Sequence, residues 1–164
     1  MDEPLSKRSL LMLHPVWGGN IFKDVMHMGG GGAKLKKESW MANERTLSHH
    51  LRVVRELGKD KYPDYNTYDI ATLKTVSYDR GYQVTFWCIG DNYSPDEYAD
   101  KVNEFLAYVP NKVTNAGKFE GSPEISFNVP NLRTALRLAR KYNQISIWDW
   151  KNEEEISTGG TGRR

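Results

Sequence analysis

Short segments of period two alternate along this chain with helical segments of period 3.6, and that alternation limits the fold more than any other feature. The run Ile125, Phe127, Val129 is interleaved with Glu124, Ser126 and Asn128, which is the pattern of a strand with one apolar face. Residues 72–89 read as the strongest hairpin. Val, Thr, Tyr, Phe and Trp fill both arms, and Asp79-Arg80-Gly81 supplies the turn. Two more strands are expected within 112–129 around the turn Glu120–Pro123. A last pair is expected at 144–150 and 154–158. Residues 9–14, stopped by Pro15, read as a first short strand.

Three helices interrupt these strands. Residues 43–58 carry Leu47, Leu51, Val54 and Leu57 on one face, with Asn43 as a cap and Gly58 as a stop. Residues 94–109 open on Ser94-Pro95-Asp96-Glu97, a capping box with Pro at the first helical position. Residues 131–143 start at the cap Asn131, with Leu132, Ala135, Leu136 and Ala139 as the apolar stripe. Hairpins alternating with helices predict an α+β fold, a mainly antiparallel sheet with about three helices packed on it. With 164 residues, 38% apolar and 12% aromatic, a single domain with a real core is expected. Its parts read as an N-terminal strand and Gly-rich basic arm at 1–42, a core at 43–158 and a flexible basic tail at 159–164.

Gly29 to Gly32 are followed by Ala33, Lys34, Leu35, Lys36 and Lys37. The P-loop pattern needs a Ser or Thr after its lysine, and the dinucleotide fingerprint needs a different glycine spacing, so both templates fail. The stretch reads as a mobile basic arm. Cys88 is the lone cysteine and lies in an apolar strand pattern, which excludes an internal disulfide. His14, His27, His49 and His50 contain no pair at chelating spacing, so no metal and no cofactor are expected. No nucleophile elbow is present. Asp149, between Trp148 and Trp150, reads either as a partly buried acid or as a cap for its own turn. No run suits a membrane helix, the opening does not read as a secretory signal, and a cytoplasmic location in a host cell is expected.

The formal charge is only +2, but it is unevenly spread. Residues 1–60 carry ten basic and seven acidic side chains, 61–129 six and ten, and 130–164 seven and four. Arg133, Arg137, Arg140 and Lys141 form one stripe of the third helix, and Arg45, Arg52 and Arg55 share a face of the first. Together with Lys34, Lys36 and Lys37 these are the candidate binding residues. The stripes suit DNA or RNA phosphates, an acidic protein surface or small anion, or simply a solvated helix face.

Residues 124–162 carry a further pattern. Ala135, Ala139, Tyr142, Asn143, Gln144, Ser146 and Ile147 make a helix-to-strand step, followed by an acidic turn and the end Thr158, Gly159, Gly160, Thr161 and Gly162. This quarter of the chain resembles a tail of small accessory proteins of bacteriophages and integrative mobile elements. The resemblance implies a non-enzymatic protein that binds host machinery, a protein or protein–nucleic-acid complex such as a CRISPR nuclease. It carries over no catalytic residue.

Overall fold

The computed structural model describes residues 33–86 and 93–162. The expected strand at 9–14, the run Gly29–Gly32, His14, His27 and Trp87 to Ile89 with Cys88 lie outside the described residues. The fold is α+β. In chain order it comprises α1 (Ala33–Leu57), β1 (Asn66–Asp69), β2 (Thr75–Val76), β3 (Tyr82–Phe86), α2 (Pro95–Leu106), β4 (Asn115–Phe119), β5 (Ser122–Val129), α3 (Leu132–Lys141), β6 (Ser146–Asp149) and β7 (Glu154–Ser157). The seven strands form one sheet in the order β2-β1-β4-β5-β3-β6-β7, and every paired neighbour is antiparallel.

The helices cover one face. Leu47, Leu51, Val54 and Leu57 of α1, Val102 and Phe105 of α2, and Ala135, Leu138 and Ala139 of α3 are buried with Val84, Phe86, Ile125, Phe127 and Val129 of the sheet. Phe105 stacks on Phe127 at 4.9 Å between ring centres, and Phe86 and Tyr142 lie within 5.7 Å of Phe105. Such offset and tilted aromatic packing adds to the area term. The capping box of α2 forms as expected: Ser94 Oγ accepts from the Glu97 amide at 3.2 Å, and Glu97 Oε2 accepts from the Ser94 amide at 3.0 Å. Asn131 Oδ1 caps α3 by accepting from the Thr134 amide at 3.1 Å. The β4–β5 hairpin turns tightly at Glu120 and Gly121, both at positive φ, so Ser122 and Pro123 already belong to β5.

Three expectations are corrected. First, residues 72–89 are not a hairpin. β2 pairs with β1, while β3 inserts between β5 and β6, separated from β2 by three intervening strands. The turn residues do bend the chain there, Gly81 at φ +94. The central slot, however, pairs both backbone edges of β3 and buries both of its faces, which a two-residue β2 cannot offer. Second, α1 begins at Ala33 rather than at 43, so Lys34, Lys36 and Lys37 stand on its first turns instead of in an arm. Asn43 lies mid-helix, and its Nδ2 donates to Asp96 Oδ1 at 2.8 Å, joining α1 to the start of α2. Third, of the flexible tail expected at 159–164, the described residues 159–162 fold back, together with Thr158, on the α3–β6 step. β1 corresponds to none of the expected strands.

The sheet face opposite the helices is polar at its centre. Gln83 Nε2 donates to Ser126 Oγ at 2.8 Å and to Asn115 Oδ1 at 3.3 Å, and Gln83 Oε1 accepts from Trp150 Nε1 at 3.0 Å. Tyr78 donates its hydroxyl to the same Asn115 oxygen at 3.0 Å. Phe119, Trp148 and Trp150, with Tyr65 and Tyr78, form a second apolar cluster. Buried amides joined in this way fix the strand register at moderate net gain, because each would cost more if left unmade.

Candidate functional site

All four members of the α3 stripe, Arg133, Arg137, Arg140 and Lys141, are exposed, as the spacing predicts. Three of them are held. Arg137 lies over the Tyr108 ring with its guanidinium carbon 5.2 Å from the ring centre. Arg140 Nε donates to the Thr158 carbonyl at 3.1 Å. Lys141 Nζ pairs with Glu104 Oε1 at 2.6 Å. Glu104 also accepts from the Tyr142 hydroxyl at 2.7 Å. Burial pushes the Glu104 carboxyl up, but the bonds from Lys141 and Tyr142 outweigh it and hold the group below the usual carboxylate range. Burial first, and Glu104 second, push the Tyr142 phenol well above its ordinary value.

Arg45, Arg52, Arg55 and Lys37 are exposed on α1. The structure does not join them to the α3 stripe. α1 lies over β4 and β5, and α3 over β3 and β6, with α2 between them on β5. α2 meets α1 through Asn43–Asp96 and α3 through Glu104, and it exposes Glu97 and Asp100 in the gap. A phosphate chain laid across both basic faces would therefore pass over carboxylates, which repel it.

What the α3 stripe does adjoin is apolar. Tyr108, Val113 and Leu132 are 44%, 38% and 38% exposed, at the end of the molecule where α3 begins. Leu132 was expected to face the core; it points outward, and Leu138 fills the buried position instead. Between the β2–β3 turn, the α2–β4 connection and the end of β5 opens a groove of about 330 Å³. Its apolar walls include Val109, Pro110, Val113 and Pro130, and Tyr78 and Arg80 close one side. Asn111 and Lys112 both adopt left-handed backbone, φ 58 and 53. For a lysine that conformation is costly, and it is held by the Lys112 amide on Val109 O and Lys112 Nζ on Leu106 O. Sequence reading missed this site because Arg80, the pair Tyr108 and Val113, and Leu132 come from three separate segments. The only local signals were two prolines in loops.

The other candidates take structural roles. Asp149 is buried and caps its own turn: Oδ1 accepts from the amides of Lys151 and Asn152 at 3.0 and 3.2 Å, and Oδ2 from Asn152 Nδ2 at 2.8 Å. His50 is buried against α2, where its Nδ1 shares a hydrogen bond with the Tyr98 hydroxyl. Among the described residues, no group of three or more His, Cys, Asp or Glu is placed to hold a metal ion. No described helix is long and apolar enough to cross a membrane. In comparisons with known proteins, no family model, no curated protein and no solved structure matches this chain.

Proposed function

We propose that this chain is a non-enzymatic accessory protein of a phage or mobile element that binds and inhibits a host macromolecule, a defence effector such as a CRISPR nuclease being the kind of target. The observation that carries the binding reading is the juxtaposition of the exposed Arg133–Arg137 face of α3 with exposed Tyr108, Val113 and Leu132. Arginine and tyrosine beside aliphatic side chains is the composition of protein-interface anchors. A protein partner is favoured over bare nucleic acid because the acidic edge of α2 splits the two basic faces. The tail resemblance supplies the genomic setting, and the target class rests on it.

The test is retention of a host partner from lysate by the full chain and by a variant with Arg133, Arg137 and Arg140 all changed to Glu. The variant loses the partner while keeping its circular dichroism spectrum. Undiminished retention would retire the α3 face. If instead the wild-type chain binds DNA or RNA with an affinity that falls steeply with salt, the nucleic-acid reading replaces this one.

A further inference from the structure

The sheet face opposite the helices is buried, and we infer that its cover is the chain's own amino-terminal segment, residues 1–32, laid across that face. The inference is independent of the partner reading above. Burial makes the case. Val84, Phe86, Ile125, Phe127 and Val129 pack in one core with the three helices. The alternate positions point the other way, and they too are removed from water: Thr85, Glu124, Ser126 and Ser146 are 0% exposed and Trp148 is 5% exposed. An antiparallel sheet face turned to solvent stays wet. Tyr78 and Trp150 bond to Asn115 and Gln83 and screen part of the face, and Tyr65 packs on Phe119. Glu124 gains no such screen from the strands on its β4 side. It lies opposite Gly117, which lies opposite Thr67. A glycine and a threonine cannot close off a glutamate, so the cover comes from above the sheet.

Chain length selects the segment. The described residues leave 1–32, 87–92 and 163–164. Ser122 and Trp148 bound the buried stretch. Gln83 aligns Trp148 with Asn128, so the two lie six residues of register and two strands apart, about 20 Å. The rings that flank 87–92, Phe86 and Tyr93, are 5.9 Å apart. Six residues that must return so near their start reach about 10 Å outward. An extended chain of 32 residues spans about 100 Å. The segment also enters from the right place. Asn43 bonds to Asp96 where β3 gives way to α2, and Ala33 lies about 15 Å further along the helix axis, a distance that about five extended residues recover.

Composition agrees. Leu10, Leu11, Leu13, Trp17 and Phe22 are the kind of side chain that Trp148 and Phe119 bury against. A carboxylate removed from water is tolerated only with a cation or N–H donors against it. Residues 1–32 carry Lys7, Arg8 and Lys23, whereas 87–92 carry Asp91 and no cation. On this inference the outer face is interior surface, and a partner meets the protein through its helices or its sheet edges.

The test is NMR on the isotope-labelled full chain. Nuclear Overhauser peaks are expected between methyl groups of Leu10, Leu11, Leu13, Val16, Ile21 or Val25 and the ring protons of Trp148, with intensities independent of protein concentration. A sample mixing labelled and unlabelled chains, read through an isotope filter, is expected to show no such peak between chains. Three results would overturn the inference: no peak from residues 1–32 to Trp148, peaks to that ring from Ile89 alone, or peaks that cross between chains. The first leaves the face without this cover, the second assigns it to the short connection after β3, and the third assigns it to a second copy of the chain.

Discussion

At the scale of single residues, the buried histidine makes the sharpest prediction. Burial, with repulsion from His49 second, lowers the His50 pKa from 6.5 to about 4. The unfolded chain therefore binds more protons than the folded one between those values. Stability is full above the unfolded pKa and falls as pH drops through 6.5 toward 4, by about 3 kcal/mol at most. Urea unfolding at several pH values in that window should show the decline, and His50→Gln should flatten it whatever its effect at pH 7. Lys118 is the second case. It is buried on β4, and its Nζ donates to the carbonyls of Lys59 and Tyr62 at 2.9 Å each, tying the segment after α1 to the sheet. Lys118→Met removes both bonds and leaves the two carbonyls short of a donor. A loss of about 1–3 kcal/mol in denaturant unfolding is expected. Neither role was legible beforehand, because nothing local distinguishes an inward lysine from an outward one.

At the scale of elements, the carboxy-terminal clasp unites two motifs that the sequence shows as separate. The Asn143 side chain donates to Thr161 Oγ1 at 2.8 Å and accepts from the Thr161 amide at 3.0 Å; its carbonyl accepts from the Gly162 amide at 2.9 Å. The Thr158 hydroxyl donates to the Gln144 carbonyl. Asn143 itself sits at φ 54, a left-handed residue that ends α3. Gly160 is required by proximity: a Cβ there would collide with the backbone of Gln144. Gly160→Ala should expel the tail, raising hydrogen exchange at Thr161 and Gly162 and costing about 1–3 kcal/mol. Ser94→Ala, by contrast, removes only the α2 cap and should cost about 1 kcal/mol in the same assay. The helices were legible because their caps and stripes are local. The hairpin at 72–89 was misread because turn propensity says where the chain bends, not which strand lies alongside.

At the scale of the molecule, the order of strands decides what the surface can do. Placing β3 between β5 and β6 puts α3 at one side of the helical layer and α1 at the other, with acidic α2 between. The two basic faces are thus independent surfaces. Changing Arg45, Arg52 and Arg55 to Glu should leave partner retention within about twofold of wild type, whereas the α3 reversal abolishes it; a larger loss from the α1 variant would show that both faces are engaged. From the sequence alone came the fold class, the three helices, the β4–β5 and β6–β7 hairpins and the exposed basic stripe of α3. Each follows from periodicity or capping over a few residues. The central place of β3, the inward turn of Gln83 and Lys118, the clasp and the groove lined by Val109, Val113 and Pro130 were decided only in three dimensions. They depend on which distant segments meet, and no pattern along the chain encodes that meeting.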